Sequence, residues 1–531
     1  MTATLTGTGP LLRASLRHDG VRFAPWIAIA TALSASSVLG YPWLFPDPQE
    51  RAALAVAVGA NPALGIIFGP AFDLATVDGF NAWRSLALAG FFTALGSILT
   101  VIRATRGQED SGQAELLASG VLGRGSRLLS GVGLALIGSL AVGVVAGVVT
   151  GLCGGGWQSS MLLGATFTGS GWMFAGVAAV TAQLGADSRT AGSLAVGTLG
   201  ILYLLRGIAY SLDAPAWTVR VNPLGWMTET RPATADQWWP LLYAATFTAL
   251  CLAVASALHA RRDFGQAVIA PRPGPYRGRL RTPWRLVVRL NRGAVLAWTA
   301  AFAVLGMVFG YFTTSIQDVL AKDSAVAAIL AAGATTPEDL TSAFIVTILG
   351  LVGIIAAISG VQIMLRVRTE EMEDRVEPLL AGALHRTRYY GANVGLALTV
   401  PAVHVLLAGT VIAIVAAGAG IGVSLWTTVL QAAATVPAVW TVVAVAVAVV
   451  GARPRVGPAA WIGVLSSFAL TLLGPTFRLP DAALAASPFW HVPVVSRDGD
   501  GPGGLLGISL VTILLLVVGF VGFRRRDLAT T

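Results

Sequence analysis

Residues 109–124 read EDSGQAELLASGVLGR, and residues 371–386 read EMEDRVEPLLAGALHR. Laid over each other at a spacing of 262, they bring Glu109 onto Glu371, Glu115 onto Glu377, Leu117 onto Leu379, Gly120 onto Gly382, Leu122 onto Leu384 and Arg124 onto Arg386. Six identities in sixteen residues mark an internal repeat, the feature that decides the whole architecture when it is present. The register drifts little elsewhere. Arg17 and Trp26 meet Arg289 and Trp298 at 272, and Gly69 and Phe80 meet Gly333 and Phe344 at 264. The chain is one unit written twice.

The surroundings of the two loops are apolar. The 531 residues are 55% hydrophobic and 11% charged, with a mean hydropathy of +0.74, more apolar than a single soluble core. At about 1.5 Å rise per residue, twelve runs are long enough to cross about 30 Å of hydrocarbon. They lie near 24–44, 80–102, 128–150, 160–184, 191–211, 239–259, 293–313, 342–365, 391–416, 425–450, 457–475 and 504–523. Windows 128–186 and 389–452 contain no Asp, Glu, Lys or Arg, and each fits two spans joined by a short uncharged turn. The expected fold class is all-α: a polytopic membrane protein of about twelve helices in two parallel six-span repeats with pseudo-twofold symmetry. The expected division is 1–260 for the first half, 261–292 for a cytoplasmic Arg/Pro-rich linker, and 293–531 for the second half.

Lys and Arg set the orientation, because they are retained on the cytoplasmic side. With the N-terminus inside, 27 of the 35 basic residues fall in inner segments. Six lie outside (Arg51, Arg220, Arg231, Lys322, Arg478 and Arg497), and Arg84 and Arg206 sit near the outer ends of spans. Acidic residues divide 12 inside and 14 outside, so the asymmetry is specifically basic. Both termini are placed in the cytoplasm of a cell with a plasma membrane. The net charge of +9 marks the inner, lipid-facing side. The Arg cluster of 261–292 therefore reads as contact with anionic lipid rather than with nucleic acid. Cys153 and Cys251 lie far apart in the span pattern, and no disulfide is expected between them.

Function classes separate on intramembrane charge. An ion-coupled carrier needs titratable or coordinating groups inside the membrane, and the spans offer only Arg84, Arg206, His259 at an inner end, and His404. A lone His404 reads first as a hydrogen-bonded imidazole within a helix bundle. No His, Asp, Glu or Cys cluster at one depth suggests a metal site or a hydrolase, so no catalytic and no metal-binding residue is assigned. A phosphate-binding loop needs a lysine. The sole lysine, Lys322, sits in DVLAKDS without a glycine loop. ATP, if it drives this chain, is bound elsewhere, and the twin charged loops are the natural docking surface.

The repeated E-x5-E-x-L loops ending in Arg124 and Arg386 are joined by several further stretches. These are AQLGADSRTAGSLAVGTLGILYLLRG (182–207), NPLGWMTETRP with WWPLL (222–242), RRDFGQAVIAPRPGP (261–275) and SPFWHVP (487–493). With these the sequence resembles the membrane subunits of ABC-2-type (type V) exporters. The likeness is to the twelve-span, polyketide-antibiotic or tetronasin-type multidrug permeases of actinobacteria, and it runs through nearly the whole chain.

The resemblance implies a permease that exports hydrophobic or amphiphilic compounds such as drugs or polyketide antibiotics. It has no cofactor of its own, and ATP and Mg²⁺ are held by two ABC ATPase subunits. Coupling helices fall on Glu109, Asp110, Glu115 and Arg124 in one loop and on Glu371, Glu373, Glu377 and Arg386 in the other. Secondary ATPase contacts fall on Asp187, Arg189, Arg453 and Arg455. Interfacial connecting helices are implied near 10–22 and 283–292. The pathway would run between spans two and five of one half and eight and eleven of the other, with Thr93, Ser97, Tyr203, Ser359, Ser466 and Phe468 as candidate lining groups. For each of these six, helix packing is the competing role. Pro378 stands where the first copy has Leu116, so the two coupling helices are expected to differ in their first turns. A lipid- or polymer-export permease of the same fold is the alternative, and a secondary drug carrier the second. Partners beyond the ATPases are membrane lipid and the hydrophobic small-molecule substrate.

Overall fold

The computed structural model describes residues 6–59, 62–118, 122–211, 214–261, 268–269, 282–322, 337–382, 384–419, 424–473, 480–495 and 503–527. Among these residues there is no strand, and eleven helices are long and apolar enough to cross a membrane. The protein is an all-α, multi-pass membrane protein. It divides into two compact units, Met1–Gly274 and Pro275–Thr531. Most of the Arg/Pro-rich stretch that contains this boundary lies outside the described residues.

Among the helices of the first unit are α1 (Thr8–Asp19), α2 (Ala24–Leu44), α3 (Val77–Ile102), α4 (Gln113–Ala118), α5 (Ser126–Leu152), α6 (Trp157–Leu184), α7 (Ser188–Ser211), α8 (Ala216–Val221), α9 (Pro223–Thr228) and α10 (Pro240–Arg261), with two shorter ones, Pro48–Gly59 and Pro62–Phe68, between α2 and α3. Among those of the second are α11 (Pro283–Lys322), α12 (Pro337–Met372), α13 (Glu377–Leu380), α14 (Arg386–Gly418), α15 (Leu425–Ala452), α16 (Ile462–Phe468) and α17 (Gly503–Arg525). The same neighbours recur within each unit: α6 packs on α3, α5 and α10, and α15 packs on α12, α14 and α17. The fourth span is thus the centre of each bundle, and α10 and α17 are the least buried.

Lipid tails are as apolar as leucine, so helices in a membrane associate through close packing and hydrogen bonds rather than through the hydrophobic effect. Small residues sit where that requires them. A Cβ on Gly143 or on Gly164 would lie 2.2 Å from the other's carbonyl oxygen, so α5 and α6 cross backbone to backbone. At the matching crossing of α14 and α15, a Cβ on Gly409 would come within 2.4 Å of the Ala432 methyl. Hydroxyls add bonds between helices: Ser97 to Ser139 at 2.7 Å, Thr150 to Ser34 at 2.8 Å and Thr441 to Thr512 at 2.8 Å.

Two elements depart from the hydropathy reading. The span expected near 457–475 is a composite: a 3₁₀ stretch (Pro454–Trp461), the seven-residue α16, and a π turn (Ala469–Leu473). Pro454 and Pro458 lack the N–H that an α-helix needs there, and Val456 takes non-helical angles (φ −94°, ψ 35°). The counterpart α7 carries no proline and is regular. The approaches to the first and seventh spans also differ. α1 leads into α2 through a 3₁₀ turn (Gly20–Phe23), whereas α11 runs unbroken for 40 residues.

Candidate functional site

The 262-residue register survives in the backbone of the two loops. α3 continues through a π turn (Arg103–Gly107) and one helical turn (Gln108–Asp110), then stops at Gly112 with φ +74°. α12 stops at Asp374 with φ +56°. Gly112 N–H donates to the Glu109 carbonyl at 3.2 Å, and Asp374 N–H donates to the Glu371 carbonyl at 3.1 Å. One residue earlier, Ser111 N–H donates to Gly107 O at 3.2 Å and Glu373 N–H to Thr369 O at 3.0 Å. Glycine and aspartate share no chemistry, but both tolerate the left-handed conformation that ends each helix. That equivalence is invisible to a count of identities. After the turns the copies diverge: α4 begins at Gln113, whereas α13 begins at Glu377 with proline in its first turn.

The acidic residues of the loops fall into two sets. Glu115 and Glu377 are exposed, as are Glu373 and Asp374. Glu109 and Glu371, placed in water by the sequence reading, are inside. The Glu109 side chain is 8% exposed, and its oxygens accept from Arg106 NH1 at 2.9 Å and Arg127 NH2 at 3.1 Å. Glu371 is 1% exposed at the side chain. It receives both terminal nitrogens of Arg526, NH2 to Oε2 at 2.7 Å. Beside it, Glu370 accepts from Arg366 Nε at 2.9 Å and from the Tyr389 hydroxyl at 3.0 Å.

Each buried carboxylate is tied through a guanidinium to the end of the fourth span. Arg106 Nε donates to the Ala182 carbonyl of α6 at 2.6 Å. Arg526 Nε donates to the Gly451 carbonyl of α15 at 2.8 Å, and its NH2 reaches Val450 O at 3.3 Å. The last carbonyls of a helix have no partner within it and carry the negative end of its dipole, so an arginine there satisfies backbone and carboxylate together. The two arginines come from different places: Arg106 lies one turn before Glu109, and Arg526 follows the last span. Neither was singled out from the sequence, because an arginine beyond a span reads there only as a mark of the inner side.

The secondary-contact residues lie next to these loops. Asp110 accepts from Ser188 N–H at 2.8 Å and Asp187 accepts from Thr190 N–H at 2.7 Å. Both acids therefore cap α7, whose N-terminus favours negative charge. Arg189 is exposed beside them. In the second unit Arg368 Nε donates to Pro454 O at 2.5 Å, drawing exposed Arg453 and Arg455 to α12. Arg386 donates to the Arg526 carbonyl at 2.8 Å. Arg124 is exposed, and its carbonyl lies 2.8 Å from His259 Nε2, whose Nδ1 meets Gln183 Oε1 at 3.2 Å.

The candidate pathway groups do not gather into one site within either unit. Thr93 is buried and donates to Ala89 O at 2.7 Å, and Ser97 bonds Ser139. Ser359 is buried, donates to Ala356 O at 2.8 Å and lies 3.4 Å from His404 Nδ1. His404 also meets Thr299 at 3.2 Å and stacks on Phe302 at 4.9 Å, the packed imidazole expected from the sequence. Tyr203 donates to Ile67 O at 2.5 Å. Ser466 and Phe468 are exposed.

Comparison with known proteins adds two findings. The family profile described as "Multidrug efflux system permease Rv1217c, C-terminal domain" matches residues 52–259 and 280–524. The multidrug efflux system permease protein Rv1217c of Mycobacterium tuberculosis (strain ATCC 25618 / H37Rv) is 36% identical over 537 residues, covering 98% of this chain and 95% of its own.

Proposed function

The chain belongs to the multidrug efflux permease family of Rv1217c, and from that premise we propose that it is the membrane subunit of an ATP-driven exporter whose energy comes from two ABC ATPase subunits docked on the twin loops. The observation that carries this reading is the pair of matched turns at Gly112 and Asp374, each with one carboxylate facing inward and others facing water. The exposed set, Glu115 in one copy and Glu373 and Glu377 in the other, gives the ATPase its orientation and partner choice, as charges at a wet interface do. The buried set, Glu109 and Glu371, passes a displacement of the loop to α6 and α15 through Arg106 and Arg526. ATP and Mg²⁺ belong to the ATPase, since Lys322 is the only lysine and sits in no glycine loop. The cargo is hydrophobic or amphiphilic.

The test is assembly. Purified alone, the chain is expected to hydrolyse no ATP. Co-expressed with an ABC ATPase encoded beside it, it is expected to elute as a complex with two ATPase copies, counted by native mass. Hydrolysis by the isolated, verified-pure chain would overturn the reading.

On this reading the loops and both termini are cytoplasmic, in a bacterial plasma membrane. With Cys153 and Cys251 replaced by Ala, a cysteine at exposed Ala235 is expected to react with a membrane-impermeant maleimide in whole cells. A cysteine at exposed Arg189 is expected to react only after permeabilisation. The opposite pattern would invert the orientation.

A further inference from the structure

At the end of the first unit away from the loop of residues 109–124, the last turn of α7, the α8–α9 segment, residues 229–239 and the start of α10 enclose a cavity of about 940 Å³. Drug-sized ligands occupy cavities of about 300–1,000 Å³. Its wall is a run of aromatic rings set edge to face: Trp239 on Tyr243 at 5.2 Å, Tyr243 on Trp226 at 5.7 Å, and Trp226 on Phe247 at 5.9 Å. Both indole N–H groups are engaged, Trp226 with Arg220 O at 2.6 Å and Trp239 with Gln237 Oε1 at 2.7 Å, so what the two indoles offer a ligand is apolar surface. Leu250, also in the lining, is ten residues along α10 from Pro240, about 15 Å along the axis. Tyr243 and Leu250 are exposed on the flank of α10, so the cavity is open along that flank of the first unit.

The mouth is charged. Glu229 accepts from Arg231 at 2.7 and 3.1 Å and from the Tyr210 hydroxyl at 2.9 Å, so its charge is already matched. Arg220, exposed, also lines the cavity. The described lining therefore holds two guanidiniums against one carboxylate. An incoming anion meets an excess of positive charge and hydrogen-bond donors, and a cation meets repulsion.

The loop that aims Arg231 is strained. Of the four non-glycine residues with positive φ among those described, three are Arg231 (44°), Ala233 (68°) and Asp236 (47°). The Arg231 carbonyl accepts from the N–H groups of Thr234, Ala235 and Asp236, and Ala233 N–H donates to Asp236 Oδ1 at 2.8 Å. Conformations of this kind persist only where the surroundings hold them, and they cluster at ligand clamps. Here the hold also seats the Arg231 guanidinium 4.5 Å from the Phe72 ring centroid.

We propose that this cavity binds an amphiphile with one anionic headgroup, a carboxylate or a phosphate, at Arg220 and Arg231, and with its apolar body against the aromatic wall. The site lies apart from the coupling loops, so its test is independent of ATPase docking. The full chain in nanodiscs of zwitterionic lipid is titrated with a dansyl-labelled twelve-carbon carboxylate, with dodecyl phosphate and dodecyltrimethylammonium as competitors. Saturable binding is expected, displaced by the phosphate and not by the ammonium. Arg220→Ala and Trp226→Ala are each expected to weaken it at least tenfold. Arg220→Glu, at an exposed position that leaves folding intact, should turn the preference toward the ammonium. Native mass spectrometry separates the sources. One anionic phospholipid retained per chain, and lost in Trp226→Ala, identifies a bilayer lipid, whereas an empty chain that binds the probe identifies a free amphiphile. Equal competition by the ammonium, non-saturable partitioning, or undiminished binding by Arg220→Ala would overturn the proposal.

Discussion

Glu371→Lys is expected to abolish efflux by removing the folded permease from the membrane, before any partner is consulted. The Glu371 side chain is 1% exposed and Arg526, its partner, 15%. Lysine there would set one buried cation against another. Breaking a buried ion pair by removing one partner costs about 3–5 kcal/mol, because a charge is left uncompensated in a poorly polarisable place. Arg526→Ala should fall in the same range, since it removes a two-pronged guanidinium from Glu371 and also takes a donor from the Gly451 and Val450 carbonyls. Membrane abundance and melting temperature of the purified chain measure the effect. The informative variant is the double replacement Glu371→Leu with Arg526→Met. Buried ion pairs exchanged for well-packed apolar groups are commonly neutral or stabilising, so this variant should recover abundance. If it recovers efflux as well, the pair is structural only. If it folds and assembles but does not export, the pair transmits the loop's motion to α15. Normal abundance and efflux in Glu371→Lys would show that the burial carries no energy.

The first unit should respond differently, for a reason visible in the geometry. Glu109 accepts from Arg106 and from Arg127, so losing Arg127 leaves Arg106 in place. Truncating Glu109, in contrast, takes a carboxylate from both Arg106 and Arg127 at once. Repetition of the sequence therefore does not carry over to repetition of the energetics.

Much of this architecture was legible in one dimension. The spacing of 262 exposed the repeat because loop identities at Glu109/Glu371 and Arg124/Arg386 survived, and unbroken apolar runs placed eleven of the twelve expected spans as long helices. The composite at 454–473 was legible in principle from Pro454, Gly457 and Pro458, but mean hydropathy is blind to a missing N–H. The burial of Glu371 was not legible at all. α12 runs 36 residues, about 54 Å at 1.5 Å per residue, well past the roughly 30 Å of hydrocarbon. Its last turns stay packed against α14 and α15 instead of entering water. The residue that neutralises Glu371 is 155 positions away, in a tail that charge counting assigns only to the cytoplasmic side. A charged loop in sequence thus holds two environments, and only the fold separates them.

That separation sets the second large effect. Glu115→Lys combined with Glu377→Lys should leave the permease folded and inserted while export is lost. Both carboxylates are exposed, where substitutions usually stay within about 0.5 kcal/mol. Each also sits in the first turn of a short helix, where reversing an acid adds about 0.3–1 kcal/mol against the helix dipole. Neither figure empties the membrane of permease. At a matched docking surface, by contrast, like charges brought face to face cost several kcal/mol, and each 1.4 kcal/mol is tenfold in affinity. Co-purified ATPase should therefore fall by two orders of magnitude or more at unchanged abundance and melting temperature, and drug efflux should fall with it. Reversing the facing basic residues of the ATPase should restore both, which a mere defect in folding would not allow. Full efflux with both glutamates reversed would make the exposed faces of α4 and α13 solvated connectors, and the docking reading would then fail while the buried pairs at Glu109 and Glu371 stood.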